Sequence, residues 1–177
     1  SDKLGIIGKA MANILVVDDE LGIRELLFEI LNDEGHAVEL AENAAQALAL
    51  RERLRPDLVL LDLNMPGAHG FSGLVFLRGQ YPGLPGVVVS GSEDLQVVRR
   101  AIDYGASGFI PKSSPLPTIS EAIRGVLDGD VWLPPGIAGK ISAMPGAPAE
   151  LAAQLASRCP PLSNLRPDWR PCALPPR

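Results

Sequence analysis

Cysteine is nearly absent from this chain of 177 residues. Its two cysteines, Cys159 and Cys172, both lie close to the C-terminus. They cannot cross-link the main part of the chain, and neither has a partner at the CxxC spacing of a metal or redox site. The pattern excludes a fold built on disulfides. Because no signal peptide is evident either, we expect a cytoplasmic protein.

Long apolar runs and positive charge are also scarce. No run approaches the ~18 residues that a membrane span requires, so we expect no membrane association. The formal net charge is −5 and the pI is about 5.0. This balance argues against the broad basic surface with which proteins hold nucleic acid. We therefore expect no nucleic-acid binding by this chain.

Proline divides the chain into two parts, because ten of the 17 prolines fall in residues 130–177. Apart from a stretch near 149–157, no segment of that region shows a sustained helical or strand pattern, so it has no core of its own. The predicted organisation is a leader added for expression (1–10), one domain (11–129), a linker (130–148), and a short helix with a disordered Pro- and Arg-rich tail (149–177).

Short apolar runs alternate with longer amphipathic segments from Met11 onward. The predicted strands are 14–17, 37–40, 58–61, 87–89 and 108–110, and the predicted helices are 21–32, 43–53, 71–79, 93–104 and 116–127. This alternation predicts an α/β fold with a parallel sheet covered on both faces. For a doubly wound (βα)5 sheet the expected strand order is 2-1-3-4-5, with a ligand crevice at the carboxyl ends of strands 1 and 3.

Polar side chains follow four of the five predicted strands. Asp18 and Asp19 end the first strand, Asp62 the third and Ser90 the fourth, and Lys112 follows the fifth. Three carboxylates that converge repel one another and stay ionised only with a cation among them. Oxygen ligands without histidine or cysteine favour Mg²⁺. With the lysine as a second positive charge, the set predicts transfer of a phosphoryl group to a carboxylate nucleophile.

Each of these residues also has an ordinary structural interpretation. An Asp-Asp pair after a strand is often a helix cap, which Asp19 would be for the helix that begins at Leu21. Ser90 alone is typical of a turn, and Lys112 alone of a solvated surface. Asp62 is harder to explain in this way, because a carboxylate at the edge of a core is costly without a partner. The whole set predicts the site.

Four segments carry a family resemblance: ILVVDDE at 14–20, LLDLNMPG at 60–67, VVSG at 88–91 and GASGFIPK at 105–112. In this order and at this spacing they resemble the receiver domain of bacterial two-component response regulators, over about residues 11–129. That family has the flavodoxin-like architecture.

The resemblance assigns roles to the site residues. It implies that Asp62 is the phosphoacceptor and that Lys112 contacts the phosphoryl group. It also implies that Asp18 and Asp19 bind Mg²⁺ together with Asp62 and the backbone carbonyl of Asn64.

The resemblance further implies a switch and partners. Ser90 and Phe109 take the switch positions: the hydroxyl moves toward the new phosphate and the ring turns inward, which changes the face formed by the fourth helix, fifth strand and fifth helix. The implied donor is a histidine kinase, and a phosphorylation-dependent homodimer is an implied output. Such a domain is a phosphoacceptor with slow autodephosphorylation rather than an enzyme.

Residues 125–135 resemble the linker of regulators whose output is a LuxR-type helix-turn-helix, but no recognition helix follows in the Pro-rich tail. Two interpretations stay open: a single-domain regulator with an adaptor tail, or the regulatory half of a truncated or frameshifted LuxR-type DNA-binding transcription factor. A third interpretation is a phosphatase or mutase with an aspartyl-phosphate intermediate. Such enzymes usually have a second acid two residues after the nucleophile. Here that residue is Asn64, an amide that cannot act as a general acid.

Overall fold

The structure is a computed structural model and describes residues 11–64 and 70–144. The predicted leader, the predicted helix near 149–157, the tail and both cysteines lie outside the described residues. Within the described ranges, no helix has both the length and the apolarity that a membrane span requires.

Five strands alternate with helices along the chain. The strands are β1 (Asn13–Val17), β2 (Ala37–Ala41), β3 (Leu58–Asp62), β4 (Gly86–Ser90) and β5 (Gly108–Pro111). The helices are α1 (Leu21–Asp33), α2 (Ala44–Leu54), α3 (Ser72–Gln80), α4 (Leu95–Asp103), α5 (Leu116–Leu127) and α6 (Ile137–Ser142). All strand pairs are parallel and the order is β2-β1-β3-β4-β5. The predicted fold class and strand order are confirmed.

The sheet has a hydrophobic core on each face, because successive strand residues point to opposite sides. Ile14 and Val16 of β1 belong to the cluster that α1 and α5 cover, whereas Leu15 and Val17 belong to the cluster beneath α3 and α4. β3 and β4 are buried at every position. This burial on both faces explains why the central strands read as uninterrupted apolar runs.

Local sequence signals set the helix ends. The side chain of Asn43, the predicted cap, accepts a hydrogen bond from the backbone N–H of Gln46 and starts α2. Asp94 starts α4 in the same way, through Gln96. After α1 the chain turns at Gly35, whose φ of +89° lies in the region that favours glycine. These caps fix where each connection approaches the sheet.

The segment after α5 continues the domain. Trp132 forms a parallel bridge with Gly108 at the free edge of β5. A Cβ on Gly108 would lie 3.1 Å from the carbonyl oxygen of Trp132, so the glycine permits this close approach. Residues 130–148, predicted as a linker without a sustained helical pattern, include the short helix α6, in which Ile141 is fully buried in the cluster beneath α4. A six-residue helix has little stability of its own, and this contact stabilises it.

Candidate functional site

The carboxyl ends of β1, β3, β4 and β5 meet at one edge of the sheet. Asp62 is the last residue of β3 and pairs in register with Val89 of β4. The backbone carbonyl of Ser90, the last residue of β4, accepts a hydrogen bond from the backbone N–H of Lys112 at 2.8 Å. Asp18 directly follows β1, and its N–H donates to the carbonyl of Ala41 at 3.0 Å. Parallel pairing therefore brings the predicted residues to one place.

Lys112 lies at the centre of the acidic residues. Its ammonium nitrogen is 3.1 Å from Asp18 Oδ2 and 3.4 Å from Asp62 Oδ1. It also donates a hydrogen bond to Glu20 Oε1 at 3.0 Å. The Lys112 side chain is 12% exposed, so it is not the solvated surface lysine of the alternative interpretation.

Asp18 and Asp62 are buried acids with unused oxygens. They are 1% and 3% exposed. Oδ2 of Asp18 and both carboxylate oxygens of Asp62 have no aligned hydrogen-bond partner among the described residues. Buried carboxylate oxygens are costly without a donor or a cation. The Lys112 ammonium supplies one positive charge to two such carboxylates. One negative charge therefore stays uncompensated, and a second cation would balance it.

The environment of Asp62 raises its pKa above the ordinary value of 3.8. Burial contributes most, followed by the negative charge of Asp18, while the backbone N–H of Asn64 and the ammonium of Lys112 oppose the rise. For Lys112, burial lowers the pKa, but the close contacts with the carboxylates of Glu20 and Asp18 more than offset it, so the net shift is upward. The lysine is thus cationic at neutral pH, and the Asp62 carboxylate has an incompletely compensated charge.

The pKa shift of Asp62 makes the stability depend on pH. Below 3.8 the carboxyl is protonated in both the folded and the unfolded chain, and its stabilising contribution is fully present. As the pH rises through the raised folded-state pKa, that contribution is lost, because the folded state binds the proton more tightly. In metal-free protein we therefore expect Asp62→Asn to increase the free energy of unfolding at pH 7, and the difference from wild type to shrink toward acid pH.

Urea unfolding at pH 7 and at about pH 4 measures this difference. Asp33→Asn makes the same chemical change at an exposed position of α1 and serves as the control. A destabilised Asp62→Asn protein at pH 7 would contradict the expectation.

A candidate metal centre lies beside the lysine. Carboxylate oxygens of Asp18, Asp19 and Glu20 lie within 4.8 Å of one another. The residue that precedes α1 as its N-cap is Glu20, and it makes no side-chain capping bond. The interpretation of Asp19 as the helix cap is therefore wrong, and its exposed carboxylate remains available. All-oxygen donors and the unused oxygens of Asp18 and Asp62 fit a hard divalent cation such as Mg²⁺.

Sequence reasoning missed Glu20. It stands in the DDE run at 18–20, yet neither the strand pattern nor the spacing gave it a role. Its contact with Lys112 joins residues 92 positions apart, so only the folded chain shows it.

The two predicted switch residues lie on neighbouring strands. Ser90 is 1% exposed, and its hydroxyl oxygen accepts a hydrogen bond from the backbone N–H of Ser92 at 3.2 Å. Phe109 is fully buried, in the cluster that also contains Val98 of α4 and Ile141 of α6. The ring is thus already directed inward in this structure. Asn64 lies two residues after Asp62, in the segment that follows β3.

Comparison of the sequence with known proteins identifies a family and relatives. Residues 14–124 match the family described as response regulator receiver domain. The chain is 46% identical over 130 residues to the glycerol metabolism activator of Pseudomonas putida, which covers 72% of this chain and 59% of that protein. It is 33% identical over 111 residues to sporulation initiation phosphotransferase F of Bacillus subtilis, with coverage of 63% of this chain and 90% of that protein.

Solved structures give the same result. A two-component response regulator of the LuxR family from Aurantimonas sp. SI85-9A1 superposes with a TM-score of 0.69 at 29% identity, covering 75% of this chain and 96% of that one. Chemotaxis protein CheY4 of Vibrio cholerae superposes with a TM-score of 0.62 at 30% identity, covering 66% and 99%. The chain spans about three fifths of the glycerol metabolism activator. It belongs to the response regulator receiver family and has the receiver fold of phosphorelay signalling.

Proposed function

We propose that this receiver accepts a phosphoryl group from a histidine kinase on Asp62, in a reaction that requires Mg²⁺, and thereby changes its contacts with other proteins. The arrangement around Lys112 carries the proposal. Its ammonium lies 3.1 Å from Asp18 and 3.4 Å from Asp62. These are two buried carboxylates with unused oxygens. A phosphoryl group needs such a nucleophile beside compensating positive charge.

The residues that would hold the ion are Asp18 and Asp19, together with a carboxylate oxygen of Asp62 and the backbone carbonyl of Asn64. Bound Mg²⁺ supplies charge neutralisation for the oxygens of the transferring group. Arg24 stabilises the turn between β1 and α1, because its guanidinium donates a hydrogen bond to the Asp18 backbone carbonyl at 2.8 Å. This bond helps keep the β1–α1 turn in place.

In the transfer step a carboxylate oxygen of Asp62 attacks the phosphorus of phosphohistidine. The new O–P bond forms while the P–N bond breaks, and its electron pair returns to the imidazole nitrogen of the donor. Lys112 stays protonated and stabilises the charge on the phosphoryl oxygens. The products are an aspartyl phosphate and the dephosphorylated histidine. Slow hydrolysis of that phosphate returns the receiver to its resting state, and we do not class the chain as an enzyme.

The output follows from Ser90 and Phe109. In this proposal the Ser90 hydroxyl gives up its contact with Ser92 and donates to the phosphoryl group, and the surroundings of Phe109 on the adjacent strand rearrange. The face formed by α4, β5 and α5 then changes its partners. We assign the kinase and a phosphorylation-dependent second copy of this chain as partners, and the cytoplasm as the place of action.

The first test is phosphate incorporation from acetyl phosphate, followed by the intact mass of the protein. We expect a gain of one phosphoryl group in the presence of Mg²⁺ and none with EDTA, because the cluster of carboxylates repels an anionic donor unless a cation is bound. The same buffers without acetyl phosphate provide the control. Incorporation that is equally fast in EDTA would contradict the role assigned to the metal.

A second candidate function is the regulatory half of a LuxR-type transcription factor. The chain spans about three fifths of its relative the glycerol metabolism activator, and a LuxR-family regulator is among its structural neighbours. A coding sequence that restores a helix-turn-helix on shifting the frame after the receiver would favour this function over a single-domain regulator.

A further inference from the structure

Glu20 contacts both halves of the site, although the proposed phosphoryl transfer gives it no task. Its side-chain Oε1 accepts a hydrogen bond from Lys112 Nζ at 3.0 Å. Its backbone N–H donates to Asp18 Oδ1 at 2.8 Å. One residue at the start of α1 therefore holds the lysine with its side chain and a metal-site acid with its main chain.

We propose that Glu20 is a positioning residue that holds the ammonium of Lys112 in its resting place beside Asp18 and Asp62 until a phosphoryl group at Asp62 replaces it. This inference rests on the proposed function, because it concerns how the lysine becomes free for that group. It adds a resting-state contact to the site that must break during activation.

The exposure of the three carboxylates decides which of them gives up the lysine. The side chain of Glu20 is 60% exposed, whereas those of Asp18 and Asp62 are 2% and 1% exposed. A lysine ammonium has three N–H donors, and all three carboxylates lie within 3.4 Å of it in the resting protein. An incoming phosphoryl oxygen requires one of these donors. Water compensates an exposed carboxylate far better than a buried one, so Glu20 is the partner that is released.

The contact between Glu20 and Lys112 slows phosphorylation, because it must be lost before the lysine can stabilise the transferring group. An exposed ion pair contributes little, so the expected effect is small: loss of the contact should raise the rate constant about two- to fivefold. The stability of the fold should be nearly unchanged, since Glu20 makes no capping bond with its side chain.

Two substitutions separate contact from charge. Glu20→Gln removes the charge and keeps the length of the side chain. Glu20→Asp keeps the charge, but a side chain shorter by one methylene draws the carboxylate out of hydrogen-bond reach. Glu29→Gln removes one charge at an exposed position of the same helix and is the matched control. All are compared with the full-length wild-type chain at saturating Mg²⁺.

Phosphorylation by acetyl phosphate should be about two- to fivefold faster in both Glu20 variants and unchanged in the control. A second measurement uses no phosphate: in ¹⁵N-lysine NMR the ammonium signal of Lys112, assigned by its loss in Lys112→Ala, should exchange its protons faster with water in both Glu20 variants. Calorimetric Mg²⁺ titrations check that saturation is reached in each protein.

Wild-type rates and proton exchange in both Glu20 variants would overturn the inference. So would acceleration in Glu20→Gln alone, because the effect would then come from charge and not from the contact. Either result leaves the proposed function standing as long as the wild-type chain is phosphorylated. No phosphorylation of the wild type would instead remove the proposed function, while the NMR measurement would still test the resting contact.

Discussion

Asp62→Asn is expected to abolish phosphate incorporation while the fold remains intact. An amide has nearly the shape of the carboxylate but cannot act as the nucleophile. Asp62, the last residue of β3, is 3% exposed. The substitution removes a buried and incompletely compensated negative charge, so we expect it to leave the fold intact. The measurement is intact mass after incubation with acetyl phosphate and Mg²⁺, with circular dichroism to verify the fold.

The control is Asp33→Asn, which should incorporate phosphate at the wild-type rate. Asp18 provides the alternative acceptor, because it is the other buried carboxylate beside Lys112. If Asp62→Asn is phosphorylated as fast as wild type, the acceptor assignment is wrong. Peptide mapping of the phosphorylated variant would then identify the residue that takes the group.

Ile141→Ala is expected to cost about 2–5 kcal/mol of stability, the range for truncation of a fully buried isoleucine. Ile141 is 0% exposed and belongs to the same cluster as Phe109. Val131, Leu133 and Ile137 pack against that cluster as partly buried side chains. Urea unfolding gives the free energy of unfolding, and a lower value at an unchanged m-value identifies a stability effect.

Lys140→Ala is the matched control, since this neighbouring side chain is exposed and its loss should change the stability by less than about 0.5 kcal/mol. A similarly small effect of Ile141→Ala would mean that α6 does not pack on the domain in solution. Residues 130–148 would then act as the linker that the sequence pattern predicts.

The site could be predicted from the sequence to a useful extent because one geometric rule connects positions that are far apart. Asp18, Asp62, Ser90 and Lys112 each end or follow a strand, and parallel strands place their carboxyl ends at one edge. Asp19 shows the limit of this reasoning. Its position permits both a helix cap and a metal ligand, and only the observed cap at Glu20 removes the first interpretation.

The sequence alone determined the (βα)5 architecture, the strand order and the edge at which the acids and the lysine meet. These follow from the period of apolar residues and from chain connectivity, which are local properties. Only the tertiary structure decided that Glu20 contacts Lys112 and that α6 packs into the cluster that contains Phe109. Both contacts join segments far apart in the chain, and both depend on how loops and side chains pack around the sheet. No local pattern encodes such distances, so they become visible only in the folded molecule.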